Sequence, residues 1–318
     1  MAVNKENVFF LFPGQGAQYP GMALDFLRAG SRGAGELFEI ASGVMGRGME
    51  ALLRDSDAET LKRTDISQPA VTLANLAAAY YLEEKGFICK GCAGFSLGEY
   101  AALVKAGVIS AEDCFRLVKE RGAAMQAEAD RLREEGGAPG MSAVIGLSPD
   151  EVERLIAEWK AGGLADLYAA NINSPRQTVV AGTASALEEA ESRFKAAGAR
   201  RCVRLQVAGP FHSPLIAAAA ERFRPCLEAV RFSDPVLPLY SNVTGKRVAT
   251  GAEAQALAVR QITEPVQWVK EEKAVAAEGG MEACLETGPG KVLQGLWKDS
   301  GSTIPCLAAG TLADIDAL

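Results

Sequence analysis

Three side chains able to carry acyl chemistry lie far apart in this chain. Ser96 sits in a G-x-S-x-G stretch, Arg121 falls on the apolar stripe of a predicted helix, and His212 is the only histidine. A serine becomes a nucleophile when a base takes its proton, and no other imidazole is present in the sequence. A lone histidine is more often a structural residue, but here it stands in a loop bounded by glycine and proline. The residue types therefore indicate acyl transfer or hydrolysis through a serine.

The sequence around Ser96 predicts the turn that would present this serine. A short apolar run from Phe87 leads to it, and a helical pattern follows until Gly107. Gly94 and Gly98 allow the sharp strand-to-helix bend of a nucleophile elbow, in which the serine occupies the tip. The alternative is a chance match in a chain that contains 33 glycines.

Arg121 belongs to a helix that Ser110 is predicted to cap. The inward-facing residues of this helix are predicted to be Cys114, Leu117, Val118, Arg121 and Met125. A buried guanidinium keeps its charge and needs an anion beside it. Two hypotheses stay open: Arg121 forms an internal ion pair with Asp or Glu, or it binds a substrate carboxylate through a bidentate contact.

The first predicted strand, 7–12, ends in a turn from Pro13 to Gln18. This turn is neither G-x-G-x-x-G nor a P-loop, so nucleotide binding is not indicated. In elbow enzymes a loop after an early strand supplies the second oxyanion donor, and the N–H of Gln15 has that position. A plain strand-ending turn is the alternative.

Composition narrows the function classes. The 318 residues are 48% hydrophobic and 23% charged, as in a globular protein, and the net charge of −7 gives no support for nucleic-acid binding. We expect no membrane span and no signal peptide. The seven cysteines suit a reducing cytosol. Cys89 and Cys92 form a C-x-x-C, which we interpret as two small core residues rather than a redox or zinc pair.

The middle of the chain predicts a small inserted unit. A linker is expected at 134–140, followed by strand, helix, two strands, helix and strand up to Val207. This βαββαβ order is that of a ferredoxin-like unit. We therefore expect a small subdomain at 139–207, inserted into a large one formed by 1–138 and 208–318.

Several motifs in order then reveal a family resemblance. They are Phe12 to Gln18, the elbow running into Tyr100, Arg121 with Met125 and Gln126, Asn173 to Pro175, Gly209 to Ser213, Ser241 to Gly245, Pro265 to Trp268, and Gly288 to Leu293. With these residues the chain resembles the malonyl-CoA:acyl carrier protein transacylases over nearly its whole length. The resemblance implies an α/β fold with a hydrolase-like core, a parallel sheet and a nucleophile elbow, plus the inserted ferredoxin-like subdomain.

The resemblance also implies roles for individual residues. Ser96 matches the nucleophile, His212 the base, and Arg121 the arginine that holds the free malonyl carboxylate. Gln15 and Leu97 match the backbone donors of the oxyanion hole. Gln267 matches the glutamine whose backbone carbonyl orients the histidine.

Two phenylalanines bear on the choice of acyl group. The family usually has histidine immediately before the serine, whereas Phe95 stands there and makes the pocket more apolar. Phe211, just before His212, resembles the malonyl-type pattern of polyketide acyltransferase domains. Phe95 argues against strict malonyl selectivity, and Phe211 argues for it.

The resemblance implies malonyl-CoA as substrate and the phosphopantetheine of an acyl carrier protein as acceptor, with no bound cofactor and no metal. We expect a cytoplasmic monomer without nucleic-acid or membrane partners. Carrier proteins of this kind are acidic, and Arg200, Arg201 and Arg204 are the candidate docking patch, or else a solvated strand edge. A serine thioesterase or esterase on the same core is the alternative enzyme, and a carrier-docking module without activity is the alternative of another class.

Overall fold

The computed structural model describes residues 3–136 and 138–318. Its strands are β1 (Val8–Phe12), β2 (Cys89–Gly94), β3 (Gly140–Ile145), β4 (Leu167–Ser174), β5 (Gln177–Gly182), β6 (Arg201–Arg204), β7 (Ala283–Glu286) and β8 (Cys306–Ala308). They form two sheets. The large sheet has the order β2-β1-β7-β8, and the small sheet has the order β4-β5-β3-β6.

The helices surround these sheets. They are α1 (Leu24–Arg28), α2 (Arg32–Met45), α3 (Met49–Asp55), α4 (Ala58–Lys62), α5 (Thr64–Glu84), α6 (Gly98–Lys105), α7 (Ala111–Gly136), α8 (Pro149–Ala161), α9 (Ala184–Ala196), α10 (Ala217–Glu228), α11 (Gly251–Arg260), α12 (Trp268–Glu278), α13 (Val292–Asp299) and α14 (Leu312–Asp316). No helix of the described residues is both long and apolar enough to cross a bilayer.

The large sheet is parallel throughout and buried on both faces. All five residues of β1 are buried, which is why this strand reads as a continuous apolar run. β1 lies between β2 and β7, with Phe12 opposite Gly94. The carboxyl ends of the three strands therefore meet at one edge of the sheet, and the elbow after β2 opens at that edge.

The small sheet has the predicted chain order. β3, α8, β4, β5, α9 and β6 follow one another, and the sheet is antiparallel. Ser148 begins α8 with a full capping box to Glu151. A separate apolar cluster, including Trp159 and Phe194 with ring centroids 4.6 Å apart, fills the space between this sheet and its two helices. The α/β fold with a ferredoxin-like unit is thus confirmed.

The predicted linker at 134–140 is wrong at its start. α7 continues to Gly136, and β3 begins at Gly140, while Gly137 lies outside the described residues. The acidic run before the glycines is compatible with helix, and Arg131 pairs there with both Glu128 and Glu135. The boundaries 1–138, 139–207 and 208–318 stay a proposal, supported by the small sheet lying within 140–204.

Candidate active site

Ser96 occupies the bend between β2 and α6 with a left-handed backbone, φ 51°. The glycines on either side are required by close backbone contacts. A Cβ on Gly94 would lie 2.0 Å from the carbonyl carbon of Gly98, and a Cβ on Gly98 would lie 2.0 Å from the carbonyl oxygen of Phe12. The bend is therefore the strained strand-to-helix turn that the G-x-S-x-G spacing predicts.

His212 reaches this serine from the loop before the short 3-10 turn at Pro214–Ile216. Its Nε2 lies 2.7 Å from Ser96 Oγ. The loop is held by two hydrogen bonds, from His212 N–H to the Ile262 carbonyl and from Ser213 Oγ to the Pro210 carbonyl. The only imidazole of the chain thus meets the serine at hydrogen-bond distance.

Gln261, and not Gln267, orients the histidine. His212 Nδ1 lies 2.7 Å from the backbone carbonyl oxygen of Gln261, which directs Nε2, with its lone pair, towards Ser96. The prediction of Gln267 is wrong because its carbonyl accepts the N–H groups of Lys270 and Glu271 and so begins α12. Sequence pattern did not separate the two glutamines, which stand close together in the chain.

The environment keeps the imidazole neutral. His212 is only 4% exposed, and burial, followed by the charge of Arg121, lowers its pKa to about 4. Near neutral pH the ring is therefore unprotonated and able to accept the serine proton.

Arg121 lies on the inner face of α7, as predicted, and is 1% exposed. One of its terminal nitrogens donates to Gln261 Oε1 at 3.2 Å, and its Nε has no partner among the described residues. Within that part of the chain, no Asp or Glu pairs with this guanidinium. Glu99 is a neighbouring acid, but burial raises its pKa to about 7, so the carboxylate compensates the cation only in part near neutral pH. The side chain faces the pocket beside Ser96 with donor capacity left over.

Gln261 connects all three groups, and sequence reasoning missed it. Besides its carbonyl bond to His212, its Nε2 donates to the Ser96 carbonyl at 2.9 Å and to Glu99 Oε2 at 2.8 Å, while its Oε1 accepts from Arg121. The only signal in the sequence was a polar residue directly after the helix α11, which is common in proteins.

Two backbone N–H groups beside Ser96 have no acceptor among the described residues. They belong to Gln15 and Leu97, which both line the pocket. The N–H of Ser96 itself is occupied, since it donates to Asn242 Oδ1 at 2.6 Å. The arrangement leaves Gln15 and Leu97 as the candidates for the oxyanion hole, as the resemblance implied.

Two connected cavities lead to the serine. The inner pocket, of about 110 Å³, contains Ser96, His212 and Arg121 in its wall. The outer groove, of about 750 Å³, runs between the turn at Pro13, the small sheet and α13. The two cavities share Gln15, Phe95, Asn173, Val179, Leu205 and Val207. Phe95 stands at their junction and packs edge-on against Trp268, with ring centroids 5.3 Å apart.

The three predicted docking arginines lie on or next to β6 and are not among the residues that line this groove. Arg201 and Arg204 are on the edge strand β6, Arg200 precedes it, and the residues that follow β6 line the groove. Arg204 pairs with Glu191, whereas Arg200 and Arg201 make no ion pair in the described part of the chain. Cys89 and Cys92 are buried thiols in β2. Among the described residues, no cluster of three or more His, Cys, Asp or Glu side chains could hold a metal ion.

Comparison with known proteins places this geometry in a family. Residues 9–312 match the family model described as acyl transferase domain. The malonyl CoA-acyl carrier protein transacylase of Salmonella typhimurium is 38% identical over 309 residues, covering 97% of each chain. That of Bacillus subtilis is 34% identical over 302 residues, covering 95% of this chain and 92% of its own.

Solved structures agree. An acyl carrier protein S-malonyltransferase from Vibrio cholerae matches with a TM-score of 0.90 at 34% identity, over 98% of this chain and 99% of its own. A chain of the complex between a type II PKS acyl-carrier protein and its malonyl-transacylase matches with a TM-score of 0.89 at 35% identity. The match covers 98% of this chain and 98% of that one.

Proposed function

The chain belongs to the acyl transferase family, and within it to the malonyl-CoA:acyl carrier protein transacylases; on this premise we propose that it moves a malonyl group from malonyl-CoA to the pantetheine thiol of an acyl carrier protein. The single observation that carries the proposal is the pocket in which a serine, a neutral histidine and an arginine without a carboxylate partner in the described residues face one another. The serine and the histidine together can attack an acyl group, and the arginine attracts a free carboxylate.

The first half of the reaction forms an acyl-enzyme. His212 Nε2 takes the proton of Ser96 Oγ as the oxygen attacks the thioester carbonyl. The N–H groups of Gln15 and Leu97 stabilise the tetrahedral oxyanion, each worth about 2.7–4 kcal/mol in comparable sites. The carbon–sulfur bond then breaks, and the CoA sulfur takes the proton back from His212.

Arg121 selects the acyl group. Its guanidinium is buried and still has donors to offer, so the free carboxylate of a malonyl ester on Ser96 gives it an anion. An acyl group without that carboxylate leaves the cation partly uncompensated, which costs transition-state binding. The pocket of about 110 Å³ suits a short acyl chain.

The second half returns the acyl group to a thiol. The pantetheine arm of the carrier protein enters through the outer groove, and its thiol attacks the malonyl ester by the same steps in reverse. Water competes with the thiol for the malonyl ester and must be excluded from the pocket. The apolar wall that includes Phe95 and Phe211 supports this exclusion.

We place the carrier protein over β6, against Arg200 and Arg201, because these cations are free of ion pairs in the described residues and the residues that follow β6 line the groove. The chain acts as a monomer in this proposal, since residues of one chain complete the inner pocket. The cytoplasm is the proposed compartment, because all seven cysteines are free thiols.

The test is mass spectrometry of the intact protein after brief exposure to malonyl-CoA, with and without competing acyl-CoAs. We expect a stable malonyl adduct on Ser96 that acyl carrier protein discharges, and preference for malonyl over acetyl. Release of free malonate without an acceptor would instead indicate a thioesterase. Equal labelling by acetyl-CoA would mean that Phe95 has relaxed the selectivity.

A further inference from the structure

Asn242 lies directly beneath the elbow and outside both cavities. Its side chain is fully buried and takes part in four hydrogen bonds, the longest from Gln261 Nε2 to Oδ1 at 3.4 Å. Oδ1 accepts the Ser96 N–H at 2.6 Å, while Nδ2 donates to the Gly94 carbonyl at 2.7 Å and to Glu271 Oε2 at 2.8 Å. The side-chain amide of Asn242 thus links Gly94 and Ser96 to Glu271 on α12.

The bend needs such support because Ser96 has a left-handed backbone. A residue with a Cβ stays in that conformation only when its surroundings fix it. The N–H of Ser96 and the carbonyl of Gly94 are the two polar backbone groups of the bend that Asn242 satisfies. Both bonds require an amide, since one oxygen accepts and one nitrogen donates.

The surroundings of Asn242 are acidic and buried. Glu99 on α6 accepts the Asn242 backbone N–H at 3.1 Å, and Glu271 on α12 is fully buried. Burial, reinforced by the charge of Glu99, raises the pKa of Glu271 well above its ordinary value. The other charged or titratable groups near this cluster are Arg121 on α7, Glu272 on α12 and His212 in its loop. A further negative charge at position 242 would therefore find no compensation except Arg121.

We propose that Asn242 is a positioning residue for acyl transfer: its neutral amide holds Ser96 in the bend so that Oγ stays in line with His212. The proposal rests on the proposed function, because its readout is acylation of Ser96. Asn242 touches neither cavity, so it acts on the rate through Ser96 and leaves substrate binding alone.

The test compares N242D and N242A with the parent enzyme in malonyl transfer. N242D replaces the Nδ2 donor by a carboxyl oxygen, so the hydrogen bond to the Gly94 carbonyl is lost and the bend is held less firmly. We expect kcat to fall by about tenfold to hundredfold. The KM for malonyl-CoA should change by less than about twofold, because Arg121 and the groove are intact. N242A has neither donor nor acceptor, so it loses both bonds to the bend and should also lose kcat.

The matched control is Val275→Ala, a buried change on α12 that removes no hydrogen bond to the bend. It should lower the melting temperature and leave kcat of the folded enzyme unchanged. A double variant, N242D with E271Q, supplies an amide donor from position 271 and should regain part of the lost kcat. If a carboxylate at position 242 prevents folding, N242A carries the test through the split between kcat and KM.

The outcomes separate the two proposals. Failure of the parent enzyme to form a malonyl adduct would contradict the proposed function. The positioning role alone would be overturned if the parent is acylated and N242D and N242A lose activity only in proportion to the unfolded protein, as Val275→Ala does. A loss that appears in KM with kcat kept would overturn it as well.

Discussion

The inner pocket and the outer groove differ in how their polar groups are held. Around Ser96, the key side chains are buried and fixed by hydrogen bonds that run through Gln261 and Asn242. The groove is about seven times larger and is lined by exposed side chains such as Val292 and by the residues after β6. Chemistry requires groups that do not reorganise, whereas passage of a long flexible arm requires only room and weak contacts. We expect changes in the pocket to have large effects on rate and changes at the groove small ones.

Removing the nucleophile should have the largest effect. Ser96→Ala keeps the backbone requirements of the bend and deletes Oγ, so malonyl transfer should fall on the order of 10⁶-fold. Intact mass after exposure to malonyl-CoA should show no adduct. Ser110→Ala, on the surface at the start of α7, is the control and should be acylated normally. Adduct formation by Ser96→Ala would place the nucleophile elsewhere.

Removing the buried cation should be next. Arg121→Ala leaves the malonyl carboxylate without a partner, at a cost of about 2–5 kcal/mol, or roughly 30- to 5,000-fold in malonyl transfer. Acetyl transfer should fall far less, so the ratio of the two rates is the measurement. Arg116→Ala, an exposed arginine of the same helix, is the control. An unchanged ratio would mean that Arg121 has a structural role and does not bind the malonyl carboxylate.

The pH profile tests whether the pocket keeps His212 neutral. Its pKa of about 4 lies below the ordinary value for histidine, so the base is neutral above this pKa and the rate declines only as pH falls through it. At about pH 5 roughly nine-tenths of the rings remain neutral, against about 3% for an ordinary histidine. The measurement is kcat/KM for malonyl-CoA between about pH 5 and 8, with circular dichroism to verify folding. Half-maximal rate near about pH 6.5 would mean that the ring is hydrated.

The smallest effect is expected on or next to β6. Replacing Arg200 and Arg201 by glutamate should slow transfer to an acidic carrier protein by no more than about tenfold, chiefly in the association step. Acylation by malonyl-CoA should stay unchanged, because the inner pocket is untouched. Arg154→Glu, an exposed change on α8, controls for net charge. Equal transfer rates for the Arg200 and Arg201 variant and the parent would remove these residues from the docking surface.

Several features could be predicted from local pattern. The G-x-S-x-G stretch predicted the bend at Ser96 because only glycine tolerates the backbone contacts on either side. Helical spacing placed Arg121 on the buried face of α7, and the order of strands and helices predicted the small sheet. These features depend on neighbours in sequence, which is why spacing reveals them.

Gln261 and Asn242 could not be predicted in the same way. Each is a single amide whose partners lie far away in the chain. Asn242 falls in the Ser241 to Gly245 motif, but that motif does not reveal its bonds to the bend, and nothing around Gln261 distinguishes it from Gln267. The linker prediction failed for a related reason, because ion pairs within the last turns of α7 carry the helix on to Gly136.

The sequence by itself determined which residue types were available for acyl transfer: one serine at a glycine-bounded bend, one histidine and one arginine within an apolar stripe. Only the tertiary structure decided that they meet, which carbonyl orients the histidine, and that the arginine has no carboxylate partner among the described residues. The physical reason is that hydrogen bonds and burial depend on distances between elements. Those distances are set by packing of the sheets and helices and not by spacing along the chain.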